Sequence, residues 1–358
     1  MQGAHRDRDD TNRLIDRVRQ AIANQEPLRI RGSNSKHTLG RRVDGVDIDT
    51  RSNCGIVSYD PSELVITARS GTPLSEVNAV LDAANQMLPA EPPTFGGMAT
   101  IGGAVASGLS GPRRPWAGSL RDFVLGCRVV TGEGRHLRFG GQVMKNVAGY
   151  DVSRLIAGSF GCLGLLTEVS LKVLPKPRAS AFLSIATDAE EALRELAAWR
   201  KSALPVSGAC HFDGRLHVRL EGGEGSVRAA TDRIGAEAAE SSFWEALLEH
   251  RLSFFNNTED TRALWRLSLP NNTSLIPLPG DTLIDWGGAQ RWLRSDASAG
   301  EIRSIVSAHG GHATCFRSVE SVEPFHPLAE PLVRYHQRLK ARLDPHRILN
   351  PGRMYADL

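Results

Sequence analysis

Apolar residues recur at helical spacing near the start of the chain. Leu14, Ile15, Val18, Ala21 and Ile22 share one face, with Thr11 available as a cap. Leu28–Arg31 then reads as a short strand feeding the polar loop Gly32-Ser33-Asn34-Ser35-Lys36. A second strand, turn and helix come next: Leu64–Arg69, Gly71-Thr72-Pro73 and Leu74–Asn85. Phe123–Val130 and Arg135–Phe139 flank Gly132-Glu133-Gly134, a hairpin signal, and Leu165–Leu174 alternates as a further strand. The Pro175-Lys176-Pro177 break closes that strand and separates residues 1–176 from the rest of the chain. Beyond it the pattern predicts a helix over Ala189–Lys201, a hairpin of Val206–Phe212 with Leu216–Leu220, and a helix near Ser226–Glu240. This alternation marks a smaller α+β domain over 177–325. A last helix, Pro331–Leu343, lies in a terminal segment, 326–358, that ends near Asn350-Pro351-Gly352-Arg353.

Composition narrows the function. At 358 residues the chain is long enough for two domains. Its 43 Lys and Arg against 40 Asp and Glu leave a net charge of +3, which does not suggest a nucleic-acid binder. Only six of those cations are Lys, a bias that suits phosphate and carboxylate recognition but equally follows from a GC-rich genome. No two of the five cysteines sit at CxxC spacing, which disfavours zinc ribbons and iron–sulfur clusters and suggests a free-thiol cytoplasmic protein. With no apolar h-region and no apolar run of about 18 residues, neither a standard export signal nor a membrane span is expected, although peripheral docking through partners remains open.

Glycine is the most uneven feature: residues 96–164 hold 16 of the 35. Either a loop-rich sheet needs many tight turns, or the backbone must approach a large phosphate-bearing ligand. The common nucleotide loops do not fit. The pairs Gly132/Gly134 and Gly223/Gly225 are followed by Leu137 and Arg228 where GxGxxG requires glycine, and no Gly-Lys dipeptide exists for a Walker A loop. What remains is Gly96-Gly97-Met98-Ala99-Thr100-Ile101-Gly102-Gly103 leading into a small, apolar helix start. Free amides there and in Arg31–Lys36 could clamp a diphosphate from two sides.

Arg31-Gly32-Ser33-Asn34-Ser35-Lys36, Ala99-Thr100-Ile101-Gly102-Gly103, Arg121-Asp122-Phe123-Val124-Leu125-Gly126 and Gly158-Ser159-Phe160-Gly161-Cys162-Leu163-Gly164 resemble the flavin domain of the vanillyl-alcohol oxidase type, the p-cresol methylhydroxylase (PCMH) fold. Within it, Gly111-Pro112-Arg113-Arg114-Pro115-Trp116, the run Met144–Asp151 and the ending Asn350–Tyr355 resemble the FAD-binding subunits of bacterial glycolate oxidases. The resemblance covers essentially the whole chain. It implies an α+β protein: a two-lobed PCMH-type FAD-binding domain over 1–176, a cap-like domain over 177–325, and the segment 326–358 returning to the flavin.

The resemblance also implies roles. Arg31, Gly32, Ser33, Asn34, Ser35 and Lys36, with Gly97, Thr100, Ile101, Gly102, Gly103 and Ser107, would hold the FAD diphosphate and approach the isoalloxazine. Gly158, Gly161, Gly164 and Leu165 would close over the adenosine end, and Asn350 would come back to the flavin. Covalent relatives carry a histidine within the first loop; here His37 falls just after it, so non-covalent FAD is expected. Self-sufficient 2-hydroxy-acid dehydrogenases of this type carry a metal-binding His-x-Gly-Asp-Gly-Asn-x-His motif and a downstream Glu-His pair. Neither appears: Ala308-His309-Gly310-Gly311-His312 is the nearest cluster, and Glu249-His250 precedes it and reads as a solvated helix end. No metal site is therefore expected in this chain, and no catalytic residue is assigned in it. By resemblance it would serve beside a larger catalytic flavoprotein subunit and an iron–sulfur subunit, supporting oxidation of glycolate to glyoxylate with electrons passing to quinone. Two rivals stand beside this reading: a self-sufficient dehydrogenase using Arg113 or Arg114 as a carboxylate clamp, where a salt bridge or a phosphate contact is the plainer role, and a structural subunit with a vestigial FAD site.

Overall fold

The structure, a computed structural model, describes residues 7–141, 150–317 and 322–358. It divides into two compact units. The first comprises Met1–Ser110, Ser119–Pro175 and Pro327–Leu358; the second comprises Gly111–Gly118 and Lys176–His326. The short excursion of Gly111–Gly118 into the second unit has no signature in the hydrophobic pattern.

In the first unit the amphipathic helix spans Thr11–Asn24. Its N-cap position is Asp10 rather than Thr11, and no side chain caps it; the Asp10 carboxylate instead pairs with Arg13 Nε at 2.6 Å. Leu14, Ile15, Val18 and Ala21 pack with Leu28, Ile48, Val130, Leu165, Ile348 and Leu349. Each fully buried aliphatic side chain there contributes about 1.5–3 kcal/mol. That cluster joins two sheets. One is a parallel pair, Leu28–Arg31 with Val46–Asp49. The other has five antiparallel strands in the order Ile56–Asp60, Val65–Arg69, Leu165–Lys172, Val124–Val130 and His136–Gly140. The C-terminal helix, Glu330–Leu343, leads into a segment that bridges back onto the first strand, Leu28 N–H donating to Ile348 O at 2.7 Å.

The second unit is built on one eight-stranded sheet whose neighbouring strands run antiparallel. Helices Ala189–Trp199 and Glu224–Ile234 cover one part through Ala192, Leu196, Val227 and Ala230. Helix Ala299–Ala308 covers another through Ile302 and Val306, against Trp265, Leu267 and Leu293. The helix expected to reach Glu240 stops at Ile234, because Gly235 adopts a left-handed φ of 63° as its C-cap. Glu237–Ala238 then pairs as an edge strand with Leu183 and Ser184. Among the described residues no helix is long and apolar enough to cross a membrane.

Candidate functional site

The first glycine-bearing loop leaves the end of a strand. Arg31 O accepts from the Thr50 N–H at 2.9 Å, which ends the parallel pairing. Gly32 lies against the Thr100 side chain: a Cβ there would sit 2.5 Å from Thr100 Oγ1, so only glycine fits. Asn34 takes a left-handed φ of 62°. Within the described residues no hydrogen bond takes up the amides of Gly32, Ser33, Asn34 or Ser35. Two cations flank the loop, with Arg31 Nη2 2.9 Å from Asp47 and Lys36 Nζ 5.2 Å over the Phe95 ring. The hydrogen bond from Arg29, with the charges of Arg31 and Arg29, holds the Asp47 carboxyl below its ordinary range against the opposing effect of burial.

The second loop is organised differently from the expectation. Its amides are already used inside the protein: Ile101 N–H donates to Thr72 O at 2.9 Å, Gly102 N–H to Ser70 O at 2.8 Å, and Gly103 N–H to Thr100 Oγ1 at 3.2 Å. The helix Ile101–Ser107 thus begins with its N-terminal donors satisfied by Thr100 and the neighbouring turn. Gly102 is a packing glycine, since a Cβ would lie 2.7 Å from Ser70 O. Gly103 differs, because a Cβ there would meet only Thr100 Oγ1, at 3.1 Å.

A third element closes the site. Gly158 N–H and Phe160 N–H donate to Val105 O and Ala106 O, fastening the 158–164 turn to that helix. The carboxy-terminal segment then ties turn and strand together. Asn350 Oδ1 accepts from the Ile30 N–H at 2.7 Å, and Asn350 Nδ2 donates to Phe160 O at 2.6 Å. Gly161, at φ 73°, makes room for it: a Cβ would come 2.8 Å from Asn350 Nδ2. Arg353, whose pKa burial lowers, donates to the carbonyls of Arg41 (2.8 Å) and Leu39 (2.6 Å), pinning the end of the first loop.

These elements enclose two clefts of about 680 and 450 Å³ that share Ile30, Arg31, Gly32, Gly103, Ala106, Phe160 and Asn350. Ser33, Asn34, Ser35, Lys36, Thr100 and Ser107 line the first; Gly102, Gly161 and Gly164 line the second. Four expected residues line neither. Gly97 is exposed and donates to Thr94 Oγ1, and Ile101 is buried under its helix. Gly158 serves the turn, and Leu165 is fully buried in the core beneath the Thr11–Asn24 helix, its neighbour Leu166 lining the cleft instead. The run Met144–Gly149 lies outside the described residues.

Sequence reasoning missed Ser70 and Ser159. Both are buried on the second cleft with hydroxyls that have no hydrogen-bond partner, and Arg31 Nε is likewise unpartnered. Buried polar atoms are normally satisfied, so a cleft with two such hydroxyls beside four unpartnered amides and two cations fits a polar, anion-bearing ligand. A lone serine such as Ser70 carries no pattern in a sequence, while Ser159 lay inside the Gly158–Gly164 motif with no role of its own assigned. FAD, with its diphosphate, matches these donors.

Among the described residues no group of three or more His, Cys, Asp or Glu side chains could hold a metal ion. His309 Nδ1 lies 2.9 Å from Ile305 O at the end of its helix, while His312 opens a strand. His250 is no solvated helix end: its ring stacks on Phe255 at 4.3 Å beside Trp292 and Phe316, and burial first, then Arg317 and Arg266, push its pKa down to about 3. Arg113 forms a buried bidentate ion pair with Glu221, Nη2 to Oε1 at 2.9 Å, and the Arg114 guanidinium lies 4.4 Å over the Trp286 ring. In this structure Arg113 takes the salt-bridge role rather than that of a carboxylate clamp.

Comparison with known proteins agrees with this geometry. Residues 9–140 match the FAD binding domain family, so the fold and the site together define an FAD-binding flavoprotein. Over 353 residues the chain is 56% identical to glycolate oxidase subunit GlcE of Escherichia coli K12, covering 99% of each, and it belongs to that family. It is also 35% identical over 122 residues to glycolate oxidase subunit GlcD of Bacillus subtilis 168, covering 34% of this chain and 26% of that one. With D-lactate dehydrogenase of Anaerostipes hadrus it shares 36% over 141 residues, 39% of this chain and 29% of the other. A solved structure of alkyldihydroxyacetonephosphate synthase superposes with a TM-score of 0.66 at 16% identity, over 96% of this chain and 75% of that one, which is a likeness of fold.

Proposed function

We propose that this chain is the FAD-holding subunit of a glycolate oxidase complex, which converts glycolate to glyoxylate. The observation that carries the proposal is the likeness to a GlcE subunit along the entire chain, joined to a cleft whose free donors suit FAD. Arg31, the amides of Gly32 to Ser35 and Lys36 would hold the diphosphate. Gly103, Ser107 and Asn350 would shape the wall, and Ser70, Ser159, Gly161 and Gly164 would surround the narrower end. The bound flavin would supply a redox centre able to accept and pass on electrons. Ile30, Ile156, Leu166 and Phe160 would exclude water from it.

The cofactor is non-covalent in this proposal. His37 is exposed, its Nδ1 3.0 Å from Asn34 O, and it is not among the residues lining either cleft. Substrate chemistry falls to a larger flavoprotein subunit, and an iron–sulfur subunit carries electrons toward quinone. The complex would work in the cytoplasm, held peripherally at the inner face of the cytoplasmic membrane through its partners. Co-expression of this chain with those two subunits tests the reading. One complex should co-purify, and acid denaturation should release free FAD from the isolated chain. A chain that purifies alone from such a co-expression, or retains flavin covalently after denaturation, would contradict it.

A further inference from the structure

Helix Ala189–Trp199 of the second unit turns Ala192 and Leu196 into the core. Glu195 and Trp199, four residues apart and so on one face, instead line a cavity of about 830 Å³ that opens to solvent. Ile185, Leu204, Ile234 and Ala236, packed against the same core, supply its apolar wall. The polar groups of the cavity are unequally used. Arg215 takes up two of them, donating from Nε to Ser184 Oγ at 2.7 Å and from Nη2 to the Glu237 carboxylate at 2.5 Å. Glu195 is half-buried, and its Oε2 is shielded from water with no hydrogen-bond partner within the described residues. Arg233, exposed in the last turn of helix Glu224–Ile234, forms no ion pair within the described residues. None of these residues lines the two clefts of the first unit.

A carboxylate oxygen withdrawn from water costs free energy unless a donor meets it. Beside it the Trp199 ring offers a face that attracts a cation. An ammonium group answers both, by a charge-assisted hydrogen bond and by contact with the ring. At the exposed edge of the same cavity the Arg233 guanidinium suits a carboxylate. We propose that this cavity binds a small zwitterion of the amino-acid class. Its ammonium sits on Glu195, its carboxylate on Arg233, and an aliphatic side chain along Ile185, Leu204 and Ile234. A plain amine leaves Arg233 unused, and a plain carboxylic acid brings a second negative charge toward Glu195 with nothing to meet it.

The test titrates the full-length chain calorimetrically with L-valine, L-leucine and L-methionine. At least one should bind. Glu195→Gln, which keeps the shape and removes the charge, should raise its Kd about tenfold or more. Arg233→Gln, at the exposed end, should raise it about threefold. FAD content should be the same in wild type and both variants, which separates this site from the cofactor clefts. The bound amino acid should raise the melting temperature of wild type and leave that of Glu195→Gln unchanged. Its amide, which lacks the carboxylate, and its deaminated acid, which lacks the ammonium, should both bind more weakly. Absence of binding by all three amino acids at millimolar concentration overturns the site, as does equal Kd for wild type and either variant. An amide that binds as tightly as its parent amino acid marks a site for a plain amine, and the proposal falls.

Discussion

At the scale of single residues the two adjacent glycines of the second loop have different work, and substitution separates them. Valine at Gly103 would take up space in the cleft without striking backbone; valine at Gly102 would strike Ser70 O. Gly103→Val should therefore fold and melt near wild type yet purify without FAD. Gly102→Val should lose about 1–3 kcal/mol of stability by overpacking. Absorbance spectra and thermal melts of both variants read the two effects, and equal FAD retention by Gly103→Val and wild type would remove this glycine from the site.

Two histidines set a pH dependence. Burial is the first cause lowering the pKa of His217, to about 4, and of His250, to about 3, against an ordinary 6.5. The unfolded chain then binds protons that the folded chain refuses, so stability is full above pH 6.5 and falls as pH drops toward 3 to 4. In His217→Phe combined with His250→Asn, the melting temperature should fall less steeply over that range. Asparagine is chosen because His250 has a left-handed φ of 55°, which it tolerates.

The crowding of glycine was visible in the sequence itself, whereas Gly161, Gly164 and Asn350 were expected through the resemblance and do line the clefts. Ser70 and Ser159 were not, since their meaning lies in burial without a partner. The free-amide expectation failed for Ile101 to Gly103 for a related reason: Thr72 O and Ser70 O, which take up two of those donors, are neighbours only in three dimensions.

At the scale of elements, strands with clean alternation and hairpins with glycine turns could be read directly, as in Val124–Val130 with His136–Gly140. Gln290–Ser295 could not. Every residue of it is buried although most are polar; Arg294 donates to the carbonyls of Phe254, Phe255 and Arg262, and Arg291 Nη2 to those of Thr273 and Ser274. The same principle governs the C-terminal helix, where a buried lysine rather than an apolar face makes the attachment. Lys340, its ammonium 2.7 Å from the Asp344 carboxylate, holds the 158–164 turn through Cys162 O and the returning segment through Leu349 O. Lys340→Ala would strand the Asp344 carboxylate and should cost about 3–5 kcal/mol. Chemical denaturation should show that loss together with weakened FAD retention. A variant as stable as wild type would mean the pair does not hold the segment in place.

At the scale of the whole molecule, the proposed cofactor cleft lies in the first unit, while Arg113 of the second unit is committed to Glu221. The proposed division of labour assigns this cleft to the chain and substrate chemistry to a partner subunit. The most direct measurement is the anaerobic absorbance spectrum of the purified chain before and after glycolate is added. The account predicts a flavin spectrum that glycolate leaves unchanged until the partner subunits are supplied, and that then bleaches. A colourless chain, or bleaching by glycolate with this chain alone, would contradict it.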